Sequence, residues 1–189
     1  MKIAACQPTY VHCDIPRSAE VLLNFATQAQ SQGADLVCFP ECYLQGYLFD
    51  EGEAVDLALD LESEEFLEVL NSLAHLDLTI VFGLIEKSGE RLHNTAVVVK
   101  QGRLLGSYQK MNLLPGESVF SPGDDSPVFE VQGVRFGINI CNDLNFTESA
   151  QAVADQGATV LVCPCNNMMG LDNAKRWEHK HNELRAQRA

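Results

Sequence analysis

The sequence predicts one α/β domain, and three observations carry that prediction. Short apolar runs at residues 34–39 and 159–163 read as strands buried on both faces. They alternate with longer segments whose apolar residues recur at helical spacing. The elements run β-α-β, then α-β-hairpin, then β-α-β, then α, with no low-complexity stretch or linker between them. A chain of 189 residues suits a single core.

Each element has its own signal. Residues 2–7 alternate and read as a first strand. Asp14 and Pro16 mark a helix start. Leu22, Phe25, Ala26 and Ala29 give that helix its apolar stripe, and Gly33 stops it. Residues 34–39 form a buried strand closed by Pro40 and Glu41. A second helix is expected over 63–76, with Phe66, Leu67, Leu70 and Ala74 facing inward. Residues 79–85 are strand-like. Residues 96–100 and 104–109 flank Gln101-Gly102-Arg103 as a hairpin, and 128–131 pairs with 134–140 around Gln132-Gly133. A third helix covers 148–156 and stops at Gly157. The polar segment 173–189 is helical by propensity. The stretches 32–38 and 156–163 echo one another, each a helix end, a glycine and a buried strand.

Composition narrows the function. Hydrophobic residues make up 46% and charged residues 21%, as in soluble globular proteins. No apolar run approaches the roughly 18 to 20 residues that span a membrane, so no membrane partner is expected. The N-terminus does not read as a signal peptide, and a cytoplasmic location is the default. The seven cysteines are odd in number and several sit in apolar runs, which fits reduced thiols better than a disulfide framework. The net charge is −13, and residues 50–68 hold nine acids with no Lys or Arg. Nucleic acid is therefore not an expected partner. The acidic run reads as a solvated helix surface.

In open α/β sheets, ligands bind beyond the carboxyl ends of strands. Three reactive residues stand there: Glu41, Lys110 and Cys141. Cys141 follows an apolar run and enters a turn toward a helix, where backbone N–H groups and a nearby cation favour a thiolate. Its alternative is a small buried hydrophobe. Glu41 directly follows a buried strand, where desolvation moves a carboxylate toward the range of a general base. Its alternative is an exposed loop acid. Lys110 is placed to hold an oxyanion, or is a surface lysine. Glu117, seven residues on, is a candidate second carboxylate at the same site. Cys163-Pro164-Cys165 lacks a second Cys/His pair at zinc spacing, so no metal is expected. His12, His75 and His93 are available to pair with Cys141, but none has a recognisable context. There is no G-x-G-x-x-G and no P-loop.

At this point the motifs resemble the nitrilase superfamily, the carbon–nitrogen hydrolases. They are Ala4-Ala5-Cys6-Gln7-Pro8, Phe39-Pro40-Glu41 with Gly46-Tyr47, Asn94-Thr95-Ala96, residues 106–110, Pro122-Gly123-Asp124 and residues 137–143. They occur in the family's order, and the 69- and 31-residue gaps between Glu41, Lys110 and Cys141 resemble the family's gaps. The resemblance implies a four-layer α-β-β-α sandwich. It implies Cys141 as nucleophile, Glu41 as general base and Lys110 as oxyanion stabiliser. Glu117, Asn142 (through its backbone N–H) and Tyr47 would bind substrate. It also implies a small amide, carbamoyl or nitrile substrate, a thioester intermediate, no cofactor, and association into homo-oligomers.

Two departures stand out. After Cys141-Asn142-Asp143 many members carry an Arg, an aromatic and a Pro, whereas this chain has Leu144-Asn145-Phe146. That leaves the substrate class open. Members also run longer, so residues 1–189 read as one carbon–nitrogen hydrolase domain lacking its final strands. Rival readings are a glutaminase module feeding a synthetase, an inactive truncated relative acting as a binding module, and a redox or metal protein built on Cys163 and Cys165.

Overall fold

Asp14 caps the first helix, its carboxylate accepting the backbone N–H of Arg17 at 2.9 Å. A computed structural model describes residues 1–48, 50–167 and 170–188. Helix α1 (Ile15–Ser31) buries Leu22, Ala26 and Ala29, with Phe25 half-buried beside them. It links strand β1 (Ile3–Ala5) to β2 (Leu36–Cys38) as a parallel crossover. Helices α2 (Glu51–Leu57) and α3 (Glu64–Ser72) follow, then β3 (Thr79–Ser88), β4 (Arg91–Lys100) and β5 (Arg103–Gln109). These five strands form one sheet in the order β1-β2-β3-β4-β5.

The second sheet holds β6 (Val128–Val131), β7 (Val134–Ile138) and β8 (Val160–Val162). Strands β7 and β8 are parallel and are joined through α4 (Thr147–Ala154). Both hairpins turn through a left-handed pair, Gln101-Gly102 and Gln132-Gly133, all four at positive φ. The echo in the sequence is a structural repeat. Gly33 and Gly157 end their helices at φ 75° and 86°, and the next residue bonds back five positions in each case: Ala34 to Ala29 at 3.0 Å, Ala158 to Val153 at 3.1 Å.

Two cores make four layers. Residues of α1 and α3 pack on one face of the large sheet through Val37, Ile80, Phe82 and Val97. The opposite face, with Leu36, Val81, Ala96 and Val98, meets Val131, Phe136, Ile138 and Val162 of the small sheet. Helix α4 covers the far side, close enough that a Cβ on Gly137 would fall 2.5 Å from Val153. The fold is the α-β-β-α sandwich that the resemblance implied.

Some expectations need correction. Helix α3 is shorter than 63–76, because Ser63 is its cap and the chain leaves the helix at Leu73. Its buried stripe is Phe66, Val69, Leu70 and Leu73, while Leu67 and Ala74 are exposed. The acidic run that reads as a solvated helix surface holds helix α2. Its cap is Asp50, which accepts the Glu53 N–H at 3.0 Å. Helix α5 (Leu171–Arg188) begins two residues earlier than the predicted segment, whose last residue, Ala189, lies outside the described residues. Among the described residues, no helix is long and apolar enough to cross a membrane.

Candidate active site

Glu41 is placed by the turn that follows β2. Two devices hold that turn against β3. Gly83 leaves room for it: a Cβ there would lie 2.4 Å from the Cys42 nitrogen and 2.6 Å from the Pro40 oxygen. Gln45, fully buried, works as a strand surrogate. Its amide donates to the carbonyls of Ile85 and Leu57 at 3.1 Å each and accepts the Ile85 N–H at 3.0 Å.

Glu41 then meets Lys110, which directly follows β5. The Lys110 ammonium donates to Glu41 Oε1 and to Glu117 Oε1, both at 2.7 Å, with all three side chains fully buried. Asn94, on β4, donates to Glu41 Oε1 at 2.8 Å and to Glu117 Oε1 at 3.3 Å. The Tyr47 hydroxyl also donates to Glu117 Oε1. The other Glu117 oxygen accepts the Leu114 N–H at 2.5 Å, and Glu41 Oε2 accepts the Asn166 N–H at 3.0 Å. Burial pushes the Glu41 carboxyl up, opposed by the charge and hydrogen bond of Lys110. Burial pulls the Lys110 ammonium down, but the Glu41 charge and the bonds to both carboxylates outweigh it and hold it above the usual lysine range. An ammonium carries three hydrogens. The two carboxylates engage two of them.

Cys141 opens a 3-10 turn, Cys141–Asn145, in a left-handed conformation at φ 44°. Such a φ is unusual for a residue with a side chain and is held only by its surroundings. Asp143 supplies them. This fully buried carboxylate accepts the Ile140 N–H at 2.9 Å and the Tyr108 hydroxyl at 2.8 Å on one oxygen. Its other oxygen accepts the backbone and side-chain N–H groups of Asn112, each at 2.8 Å. The Cys141 turn is thereby tied to the end of β5 and to the residues after Lys110. The Cys141 N–H is tied to Pro164 O at 3.0 Å.

The Cys141 thiol donates to Asn167 Oδ1 at 3.7 Å and is also hydrogen-bonded to Cys165. That Cys165 bond, then burial, then the Glu41 charge push the thiol up, against the pull of Lys110. The residues after β8 therefore touch both halves of the site, Asn166 at the carboxylate and Asn167 at the thiol. A cavity of about 560 Å³ opens beside them. Its lining includes Cys6, Cys38, Tyr43, Cys165 and Asn167, and does not include Glu41, Lys110 or Cys141.

Glu41, Lys110, Glu117 and Tyr47 thus converge in one buried network, and Cys141 stands within reach of its charges. The Asn142 side chain faces elsewhere, donating to Asn112 O at 3.0 Å and accepting from Asn145 at 2.7 Å. The oxyanion role inferred for Asn142 rests on its backbone N–H in the first turn. Asn94 and Asp143 lie in stretches already singled out as motifs, yet their parts as clamps were not foreseen. Asn166 and Asn167 carried no sequence signal. Among the described residues, no three His, Cys, Asp or Glu donors at this site lie within 4.8 Å of one another.

The carbon-nitrogen hydrolase family model matches residues 2–189, and the chain belongs to that family. It is 38% identical over 146 residues to a nitrilase of Pyrococcus abyssi, an alignment covering 75% of this chain and 56% of that protein. It is 36% identical over 152 residues to a glutamine-dependent NAD(+) synthetase of Acinetobacter baylyi, covering 76% of this chain and 27% of that one. A nitrilase-superfamily amidase from Nesterenkonia AN1 superposes with a TM-score of 0.79 at 26% identity, over 93% of this chain and 68% of its own. A variant of the Nesterenkonia amidase carries the acetamide moiety of fluoroacetamide covalently added at its active-site cysteine. The chain spans about half the length of the curated nitrilase and amidase it matches.

Proposed function

We propose that the protein hydrolyses a non-peptide C–N bond of a small amide, carbamoyl compound or nitrile, with an amide favoured, through a thioester on Cys141. The buried Glu41–Lys110–Glu117 network beside the strained Cys141 turn carries the reading. Glu41 takes the thiol proton as sulfur attacks the carbonyl carbon. Lys110 and the Asn142 N–H hold the tetrahedral oxyanion. Glu41 passes its proton to the leaving nitrogen, the C–N bond breaks, and ammonia or an amine departs. Water, deprotonated by Glu41, attacks the thioester, and the thiol recovers its proton as the acid leaves. Glu117 accepts from the ammonium, and Tyr47 and Asn94 hold that carboxylate by donating to it. No step draws on a metal or organic cofactor.

Mass spectrometry after incubation with a panel of small amides tests this. An acyl adduct on Cys141, lost in Cys141→Ala, is expected. Full turnover by Cys141→Ala ends the proposal. The likeness to a glutamine-dependent synthetase favours one second reading, a glutaminase module, for which glutamine would be the preferred member of the panel. All seven cysteines are free, which supports a reducing, cytoplasmic setting. Self-association, and pairing of further strands with β8, an edge strand among the described residues, belong to the same proposal.

A further inference from the structure

We propose that His12, Cys13 and Glu53 form a binding site for a divalent transition-metal ion of the zinc class, separate from the Cys141 site. One donor atom from each side chain lies within 4.8 Å of the other two. An imidazole nitrogen, a thiolate sulfur and a carboxylate oxygen are the three donor types that zinc takes. Three protein ligands leave its fourth position to water. The mixed N, S, O set disfavours magnesium and calcium, which take oxygen donors.

The backbone explains why neighbouring side chains converge. Consecutive residues in an extended chain point to opposite sides. Cys13 is left-handed at φ 53°, which turns its side chain out of that alternation. Its N–H is anchored to Gln45 O at 2.9 Å. The His12 ring is oriented as metal-binding imidazoles are, by a neighbouring polar partner. The Tyr10 hydroxyl lies 3.1 Å from Nδ1, and the two rings stack with centroids 5.9 Å apart. Glu53 arrives from a different element, the first turn of α2. Among the described residues, no Lys or Arg forms an ion pair with it.

A bound ion would cross-link the β1–α1 connection to α2. The chain between them includes Tyr47, which holds Glu117. The ion would fasten, from its outer side, the segment that supports the catalytic network, its fourth position staying open to water.

Cobalt(II) titration of the full chain is the test, read by the near-ultraviolet thiolate-to-cobalt charge-transfer band and by zinc competition. One equivalent is expected to bind and to be displaced by zinc. Cys13→Ser should abolish the band, and His12→Ala and Glu53→Gln should each weaken binding at least about tenfold. His12 and Glu53 are exposed, so these two variants keep the fold even if Cys13→Ser does not. The double variant Cys163→Ser/Cys165→Ser should keep the band. The proposal is overturned if no stoichiometric band forms, if the band is unchanged in His12→Ala and Glu53→Gln, or if the Cys163/Cys165 double variant abolishes it.

Discussion

Lys110→Met removes the ammonium that Glu41 and Glu117 share while keeping the volume of its stem. Each contact is 2.7 Å long, worth about 6 kcal/mol of Coulomb attraction at an effective dielectric near 20. Desolvation offsets much of that in the intact trio, but breaking a buried pair from one side costs about 3–5 kcal/mol. Two fully buried carboxylates are then left facing the same gap. Their relief is to take up a proton, so at least one folded-state pKa rises well above the unfolded glutamate value. A carboxylate raised in this way destabilises the fold increasingly as pH climbs through the folded pKa, and the loss is recovered on acidification. Urea unfolding at pH 8 should therefore show a loss of about 3–5 kcal/mol, shrinking by at least about half at pH 5. Acyl-enzyme formation should fall about 100- to 1,000-fold at either pH, as when an oxyanion donor is lost. An equal stability loss at both pH values, or a loss below about 1 kcal/mol at pH 8, would refute the charge-network reasoning.

Other outcomes follow from the same geometry. Because burial raises Glu41 above its usual 4.5, the acid limb of the acylation rate should lie above pH 4.5, with activity falling as the base is protonated; a limb at or below that value contradicts it. Cys165→Ala removes the largest influence pushing up the Cys141 thiol, so iodoacetamide should alkylate Cys141 faster at pH 8, and a slower rate argues against that role. Asp143→Asn replaces an acceptor of four hydrogen bonds with a group that must present a donor to some of them. It should lose about 2–4 kcal/mol in urea unfolding and acylate poorly, and wild-type stability would discount the clamp. Gly83→Ala should drive the Glu41 turn off β3, raising hydrogen exchange at residues 41–46 and suppressing acylation without touching a reactive group.

The parts of the fold set by local chemistry were legible in the sequence. Caps, glycine stops and hairpin turns name their positions through one or two residues. Helix α2 was legible only as a solvated helix surface without bounds, because acidic residues obscure a seven-residue helix carrying a single buried alanine. The inward face of α3 was misjudged because Leu67 and Val69 are equally apolar, and only the sheet beneath decides which is covered. The positions of Glu41, Lys110 and Cys141 were legible because each follows the carboxyl end of a strand. Asn94, Asp143 and Asn167 were not legible as clamps, since an amide or acid states its role only through a partner far along the chain. Asn142 shows the converse: its place beside the nucleophile is local, but its side chain answers to Asn112.

The bond from the Asn166 N–H to Glu41 joins residues 125 positions apart. During synthesis, a ribosome releases Glu41 and the first sheet well before the segment that completes the carboxylate's shell. Contacts between such distant parts of a chain form late. The nascent polypeptide thus carries Cys141 without a completed Glu41 shell beside it until β8 and the residues after it have docked. Assembly of this pocket is timed by topology, arriving with the closure of the second sheet rather than with the emergence of Cys141.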